Sequence, residues 1–360
     1  MRVVTTIPQD NLRKVADAAR EVEARGFDGI TTLENKHDPY LPLAIAATCT
    51  EKLELATGIA ISFNRSPMSA ANVTWDLYEA SGGRFVLGLG TQIRPHNEKR
   101  FSVPWTPPAP RMREYLQALK AIWRCWETGE KLDYQGDHYT FTLMTPNFVP
   151  ENTVPGVPKV TLAAVGPVMM RVAAEEADGV RLHPLCTRKY MEETIVPRVE
   201  RGLANVGRAR ETFEISGGGF IATGPDDESV HKIAEWVRYR IAFYGSTPAY
   251  YPVLEAHGLG DLGLKLNYMT KQGQWDKIAG EISDDLLHLC AAIGRHDEIA
   301  GKIAERFGGI SDTINASASA EKGSDMPPDL IQDIQRIPSA FNGGTRQRLR
   351  RCRGSRSPRR

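Results

Sequence analysis

Four short segments of this 360-residue chain bring together residues that can do chemistry. The first is Glu34-Asn35-Lys36-His37-Asp38-Pro39, which places a carboxylate and an imidazole in one loop. Such a pair can donate and accept protons, and histidine titrates near neutral pH. Glu34 and His37 are therefore the candidate catalytic residues. The same loop could instead cap a helix, with Asp38-Pro39 forming the turn into it, and the residues leave both interpretations open.

The second segment is Gly88-Leu89-Gly90-Thr91-Gln92. It is not a dinucleotide-binding fingerprint, because the third glycine of that motif would fall at Ile93. Gly90 would let the backbone approach a flat ligand, and Thr91 and Gln92 would offer hydrogen bonds to it. Alternatively, the glycines only let the chain leave a crowded strand end.

The third segment is Ala164-Val165-Gly166-Pro167. Proline suits the first turn of a helix, and Gly166 before it leaves the amide groups of that turn unobstructed. The amino end of a helix attracts phosphate, so these four residues are candidates for holding one. An ordinary junction between a strand and a helix could have the same sequence.

The fourth segment is Leu182-His183-Pro184. A lone histidine after a strand can pack or bind a ligand, and we count His183 among the candidate cofactor-binding residues. No set of His, Asp and Glu has the spacing of metal ligands, so no metal is predicted. Gly-x-Ser-x-Gly is absent, and no cysteine has the setting of a nucleophile, which gives hydrolase chemistry little support.

Short β-branched runs alternate with amphipathic helices along the chain, which predicts parallel strands joined by crossover helices. The predicted strands are Val3–Ile7, Gly29–Leu33, Leu53–Ile61, Arg84–Leu89, Val160–Val165, Gly179–Leu182, Phe213–Ala222 and Ser311–Asn315. Eight such units predict an α/β fold, a (β/α)8 TIM barrel with insertions, and a doubly wound sheet is the alternative. In a barrel, all four segments would lie at the carboxyl ends of the strands, where active sites form.

We predict a single barrel domain over residues 1–340, with insertions near 91–110, 130–158 and 244–272. The 91–110 insertion is predicted to be a loop, because the run SVPWTPPAP carries four prolines in nine residues and cannot be helical. Residues 244–272 resemble an inserted lid.

The net charge of +1 conceals an uneven distribution. Residues 346–360 carry eight arginines and no acid, so the preceding residues sum to −7. The near-zero sum argues against a wholly basic nucleic-acid-binding protein. We predict residues 341–360 to be a disordered tail, in which no aromatic residue is interleaved among the arginines, and binding of nucleic-acid phosphates by these arginines is the alternative. No apolar run approaches the ~20 residues that span a bilayer, and no signal peptide is evident. With five dispersed cysteines, the sequence predicts a cytoplasmic protein without membrane contact.

The run SGGRFVLGLGTQ, residues 81–92, resembles the signature segment of the luciferase-like monooxygenase superfamily. More narrowly, the chain is similar to coenzyme F420-dependent oxidoreductases of that superfamily. Supporting segments are GFDGITTLENKHDPYLPLAIAA, TGIAISFNRSPM and AAVGPVMMRVAAEEADGV. The resemblance covers roughly residues 1–315 and implies a (β/α)8 barrel with insertions.

The resemblance also implies roles for particular residues. A non-prolyl cis peptide backs the cofactor ring in several F420-dependent members, and the matching place is Gly58-Ile59, followed by Ala60. The phosphate-binding turn maps onto Ala164-Val165-Gly166, and Thr91 matches a threonine near the cofactor. Glu34 matches the acid of an acid–histidine pair, whereas Asn35 occupies the usual histidine position and His37 comes two residues later.

The function that the resemblance implies is F420-dependent hydride transfer to or from a small organic substrate. The alternatives are an FMN-dependent monooxygenase of the same superfamily and a non-catalytic flavin- or deazaflavin-binding barrel. A homodimer is expected. Trp105 and the Tyr244–Tyr251 segment are candidates for covering the site.

Overall fold

The computed structural model describes residues 1–317 and 324–343. Its centre is formed by eight parallel strands: β1 (Arg2–Thr6), β2 (Gly29–Thr32), β3 (Glu54–Thr57), β4 (Phe85–Gly90), β5 (Lys159–Ala163), β6 (Gly179–Leu182), β7 (Glu214–Gly217) and β8 (Thr313–Asn315). Each strand pairs with the next, and β8 pairs with both β7 and β1, so the sheet closes on itself. This closed barrel confirms the predicted (β/α)8 fold, because a doubly wound sheet would leave two free edges.

Helices surround the barrel and fill the insertions. The α-helices are Val15–Ala24, Tyr40–Cys49, Pro67–Ala80, Arg94–Arg100, Pro108–Thr128, Pro167–Glu176, Arg188–Tyr190, Val196–Asn205, Asp227–Gly245, Tyr251–Glu255, Gly260–Lys271, Asp284–Cys290, Ile299–Phe307 and Pro328–Gln335. Single turns of 3₁₀-helix lie at Leu12–Lys14, Pro146–Phe148, Arg210–Thr212, Pro248–Tyr250 and Ile278–Glu281, and a π-helical stretch at Met191–Ile195. In the described residues, no helix combines the length and apolar character needed to cross a membrane.

Local sequence explains where several helices begin. Ser66 adopts extended backbone and its hydroxyl accepts a hydrogen bond from Ser69 N, while Pro67 occupies the first helical position. Asp226 caps the long helix after β7 in the same way, accepting from Ser229 N at 2.8 Å. Both arrangements satisfy amide groups that the helix itself leaves without partners.

Two predicted strands prove to be interrupted. The predicted strand Leu53–Ile61 consists of β3 and a separate pair, Ala60–Ile61, which aligns with the end of β4. The predicted strand Phe213–Ala222 ends at Gly217, because Gly217 and Gly218 have φ values of +83° and +100°. The chain then forms Phe220–Gly224, which pairs in parallel with a strand the sequence did not predict, Ala291–Arg295.

The insertions contain more regular structure than the sequence predicts. The loop predicted over 91–110 contains the helix Arg94–Arg100. The run SVPWTPPAP was expected to be entirely non-helical, but a helix begins at Pro108 because proline is tolerated in a first helical turn. Residues 130–158 carry a hairpin, in which Tyr134–Gln135 pairs with Thr140–Phe141. Most of residues 244–272 is helical. The arginine-rich tail from residue 344 lies outside the described residues.

A buried charge network fills the amino-terminal end of the barrel. Arg2 pairs with Glu54 at 2.8 Å and with Glu214 at 3.1 Å, and these side chains are 6–15% exposed. Burial opposes the ionisation of Glu214, but Arg2 and Arg181 outweigh it and hold the pKa of Glu214 below its usual range. Because Arg2 and the two carboxylates have opposite charges, all three can be buried inside the barrel, where an unpaired charge would be unfavourable.

The carboxy-terminal segment covers the same end of the barrel. Ser339 Oγ and Phe341 N both donate to Asp312 Oδ1, at 2.9 and 3.1 Å. Lys159 Nζ donates to Gly343 O at 2.8 Å. Protein therefore occupies the amino-terminal mouth, and the four polar segments lie at the opposite mouth.

We expect Glu214→Gln to lower the free energy of unfolding by about 3 kcal/mol at pH 7, because it leaves Arg2 without one of its two carboxylates. The loss should shrink below about pH 4, since the stabilisation from a carboxylate with a lowered pKa disappears as pH falls through that pKa. Chemical denaturation across pH measures both effects. Asp17→Asn is the control, because Asp17 is 89% exposed in its pair with Arg20. An equal effect of the two substitutions would contradict the prediction.

Candidate active site

The tips of β2, β3 and β4 are tied into one unit at the carboxyl mouth. Gly58 N donates to Thr32 O at 2.6 Å, and Glu34 N donates to Ile59 O at 3.2 Å. The Gly58-Ile59 peptide between these bonds is cis, at the place the resemblance implied. Ser62 N and Oγ both donate to the carbonyl oxygen of Gly90, at 2.9 and 3.0 Å, which adds β4 to the unit.

The carboxylate of Glu34 lies at the centre of this unit and is only 8% exposed. It accepts hydrogen bonds from Ile61 N at 2.7 Å and from Asn64 Nδ2 at 3.1 Å. One guanidinium nitrogen of Arg65 lies 2.7 and 2.8 Å from its two oxygens. The second nitrogen of that guanidinium binds Asp38 Oδ2 at 2.9 Å. Arg65 therefore joins the loop after β2 to the loop that follows β3.

The structure separates the two candidate catalytic residues. His37 is exposed at the rim of the mouth, whereas Glu34 is buried in the ion pair. The turn that follows does cap a helix, because Asp38 Oδ1 accepts from Tyr40 N at 2.8 Å. The helix-capping interpretation is thus correct for Asp38-Pro39, and it leaves His37 accessible to a ligand.

Beyond β4, the chain is held by a buried asparagine. Asn97 Nδ2 donates to Thr91 O at 2.9 Å and to Ile93 O at 3.2 Å. Asn97 Oδ1 is buried and has no hydrogen-bond partner among the residues described. Thr91 Oγ1 donates to Gln92 O at 3.1 Å, and Gln92 adopts φ of +58°. This loop therefore carries a buried amide oxygen, Asn97 Oδ1, that can still accept a hydrogen bond.

The glycines of the second segment are required by packing. A Cβ on Gly88 would lie 1.9 Å from Thr57 O, and one on Gly90 would lie 2.8 Å from Ile59 Cδ1. Gly90 thus makes room for Ile59, which is half-buried and follows the cis peptide, while Ala60 is buried. The absence of a side chain on Gly90 brings these two strand tips together.

The turn after β5 is open, in contrast to the tightly packed glycines of β4. Gly166 precedes the helix Pro167–Glu176 and has no side chain to cap it. A Cβ on Gly166 would meet no atom within 4 Å, and Gly166 and Pro167 are both exposed. Ala164 is buried and Val165 is half-buried. The turn therefore presents free amide groups to open space at the amino end of a helix.

His183 follows β6 and lies among aromatic rings. Its ring centroid is 4.2 Å from that of Tyr244 and 4.3 Å from that of Tyr250. Leu185 N donates to His183 Nδ1 at 3.0 Å, which assigns the proton of the neutral ring to Nε2. Burial and the charge of Arg240 lower the pKa of His183 to about 3, so the ring is neutral at physiological pH.

Two arginines of this region were not predicted from the sequence. Arg65 follows β3 in the same way that Glu34 follows β2, so the rule that selected Glu34 could have found it. Arg240 lies inside a long helix, and no sequence pattern distinguishes it. Of the expected covering residues, Tyr244 and Tyr250 contact His183, and Trp105 is half-buried.

Comparison with known proteins identifies the family. Residues 2–312 match the family described as luciferase-like monooxygenase. The chain belongs to this family. Solved structures with the same fold include an F420-dependent secondary alcohol dehydrogenase in complex with an F420-acetone adduct and a type II Baeyer-Villiger monooxygenase in complex with FMN. Each is 16% identical to this chain, with TM-scores of 0.68 and 0.61.

Proteins similar to this chain include an uncharacterized protein and two tetrahydromethanopterin reductases. An uncharacterized protein of Mycobacterium tuberculosis is 49% identical over 305 residues, which cover 85% of this chain and 90% of that protein. The 5,10-methylenetetrahydromethanopterin reductase of Archaeoglobus fulgidus is 28% identical over 325 residues, covering 88% and 90%. The structure of the coenzyme F420-dependent tetrahydromethanopterin reductase from Methanopyrus kandleri superposes with a TM-score of 0.74 at 19% identity, covering 93% and 97%.

We expect Glu34→Gln to lower the free energy of unfolding by about 2 kcal/mol, because charged hydrogen bonds to Arg65 become neutral ones. Asp38→Asn is the matched control, since Asp38 binds the same guanidinium but is 38% exposed and should contribute less than about 1 kcal/mol. Urea denaturation of the two variants provides the comparison. If Asp38→Asn were the more destabilising, Glu34 would not be the central anchor of the strand tips.

Proposed function

We propose that this protein is an oxidoreductase that transfers hydride between coenzyme F420 and a small organic substrate. The observation that supports a phosphate-bearing cofactor is the exposed, uncapped helix turn at Gly166, at the same mouth as the tied tips of β2, β3 and β4. The similarity to two tetrahydromethanopterin reductases supports a reductase chemistry for this chain.

The residues present fit a phosphate-bearing cofactor with a flat ring. Free amides at Gly166 and the following turn suit the phosphate, because a helix amino end favours negative charge. Gly58, Ile59 and Ala60 form the proposed backing for the ring, with Gly90 beside Ile59. Asn97 Oδ1 has no hydrogen-bond partner among the described residues, so a hydrogen-bond acceptor remains near Thr91 and Gln92.

When bound, a deazaflavin supplies a carbon centre that accepts or releases hydride. The protein must hold that centre in place, exclude water and handle the accompanying proton. We assign Glu34 the role of a positioning residue, because Ile61, Asn64 and Arg65 occupy its carboxylate. His37 is the proposed proton donor or acceptor, since its imidazole is exposed at the rim.

The FMN-dependent monooxygenase and the non-catalytic barrel are the competing functions. FMN also carries a phosphate and a flat ring, so the turn at Gly166 suits it equally. The two cofactors differ in chemistry, because a deazaflavin activates oxygen poorly. A homodimer and a cytoplasmic location also remain predictions, and sedimentation analysis and cell fractionation would measure them.

Titration of the purified protein with F420 and, separately, with FMN tests the proposal directly. We expect F420 to bind and to change its redox state, as followed by absorbance, when a panel of alcohols, aldehydes and enones is added. Tight FMN binding without F420 binding would overturn the cofactor assignment. Binding of F420 without turnover of any compound would favour the non-catalytic barrel.

The variant Gly166→Asp tests the phosphate turn. We expect a fall in F420 affinity of about 100-fold, because a carboxylate would occupy the anion position and repel the phosphate. Stability should be unchanged or raised by about 0.5 kcal/mol, since aspartate is a favoured helix cap. The control is Gly301→Asp, which adds the same charge at an exposed glycine that also has open space around it. Equal F420 affinity in both variants would place the phosphate elsewhere.

The variant His37→Asn tests proton transfer. We expect turnover to fall by about 100-fold with F420 affinity retained, because general acid–base groups contribute on that scale. Turnover at the wild-type rate would remove His37 from the mechanism.

A further inference from the structure

Beside the proposed cofactor site lies a cluster of contacting side chains that we call the Arg240 box, formed by His183, Arg240, Tyr244 and Tyr250. His183 contacts both tyrosine rings, whose centroids are 5.9 Å apart. Arg240 donates a hydrogen bond to Tyr244 Oη, and its guanidinium carbon lies 4.6 Å from the centre of the Tyr244 ring. All four side chains are half-buried. Because His183 directly follows β6, the box lies at the carboxyl mouth of the barrel.

Among the described residues, no carboxylate balances the positive charge of Arg240. None lies within 4 Å of it, the Tyr244 hydroxyl is its one hydrogen-bond acceptor there, and its Nε is buried with no partner in the same set. Its other close contacts are with the rings of Trp236, Phe243 and Tyr244. Partly burying an unpaired cation costs free energy, and an anion that enters the box would recover it.

The neighbouring arginine of the same helix shows the contrast. Arg238 donates to Glu235 at 2.9 Å, to Ile282 O at 2.5 Å and to Asp284 at 2.5 Å. Its charge and its donors are therefore satisfied within the protein. The helix Asp227–Gly245 thus carries one arginine used for structure and one left with unused capacity.

The charge of the Arg240 box and the aromatic rings around it indicate which kind of anion would bind there. The neutral His183 adds no second positive charge, so the box offers a single cation. One cation matches a carboxylate better than a phosphate monoester, which carries close to two negative charges at neutral pH. A guanidinium also suits the planar geometry of a carboxylate. The aromatic rings around it suit a flat, apolar body attached to that group.

We propose that the Arg240 box binds the carboxylate of an organic substrate with an aromatic or other flat apolar body. This proposal rests on the proposed function, because it assigns the carboxylate to the molecule that exchanges hydride with the cofactor. Arg240 acts as the specificity residue, and Tyr244 holds its guanidinium in place.

Binding of benzoate to the full-length protein tests the proposal, with benzyl alcohol as the neutral probe and inorganic phosphate as the dianionic probe. Calorimetry should show benzoate binding more tightly than either. Arg240→Gln should weaken benzoate binding by about tenfold or more, whereas Arg240→Lys should retain part of the affinity because it keeps the charge. Arg238→Gln is the matched control and should bind benzoate like the wild-type protein.

Three results would overturn the proposal. They are equal affinity of the wild-type protein for benzoate and benzyl alcohol, tighter binding of phosphate than of benzoate, and unchanged benzoate affinity in Arg240→Gln. The comparison among probes uses the wild-type protein alone, so it stands even if Arg240→Gln fails to fold.

A parallel F420 titration separates this proposal from the proposed function. Arg240→Gln should bind F420 with wild-type affinity. A large loss of F420 affinity would assign the box to an anionic group of the cofactor and overturn the substrate assignment. Arg240-dependent benzoate binding by a protein that binds no F420 would refute the proposed function and leave the carboxylate site standing. F420 binding without benzoate binding would do the reverse.

Discussion

The ion pair between Glu34 and Arg65 is the interaction on which the geometry of the mouth depends. The carboxylate receives hydrogen bonds from the loop after β3, and the guanidinium bridges back to Asp38 in the loop after β2. The chain between these contacts contains the cis Gly58-Ile59 peptide, which is the proposed backing for a cofactor ring. A mobile carboxylate here would leave Ile61 N unsatisfied and the strand tips free to move apart. The candidate acid of the sequence therefore serves first to hold the site together.

Three arginines near the barrel show how surroundings decide the role of one residue type. Arg84 is buried and donates to main-chain oxygens of Ala47, Thr50 and Leu53, so carbonyl groups satisfy it. Arg65 is satisfied by two carboxylates. Arg240 contacts only a phenol oxygen and aromatic rings among the residues that the structure describes. Protein oxygens accept the hydrogen bonds of Arg84 and Arg65, whereas the guanidinium of Arg240 keeps N–H groups that a ligand could bind.

The electrostatics of the molecule also separate its two ends. The amino-terminal end of the barrel balances Arg2 against Glu54 and Glu214. At the other end, positive potential comes from the amides at Gly166 and from Arg240. The sequence before the arginine-rich tail is acidic overall, so its long-range field would not attract an anion. Local donors must therefore provide the binding of a phosphate or a carboxylate at this mouth.

Much of the fold was predictable because hydrophobic periodicity is a local property. The alternation of strands and helices indicated the eight-stranded barrel, and the strand Gly179–Leu182 lies where the sequence placed it. Interruptions within strands were not predicted. The break after Gly217 is explained by its surroundings, since the guanidinium of Arg306 lies against Gly219 and would clash with a Cβ there.

For the site, the sequence by itself determined which residues follow the strands. These residues were candidates because the barrel brings the carboxyl end of every strand to one mouth. It thus selected Glu34, Gly166 and His183 before any coordinates. Only the tertiary structure decided how each is used. Burial against Arg65 makes Glu34 an anchor. Open space leaves the helix turn at Gly166 uncovered, and the rings of Tyr244 and Tyr250 lie against His183 beside Arg240. These differences depend on partners that lie about 30 to 70 residues away along the chain or on space that no pattern records, so they arise only when the barrel closes.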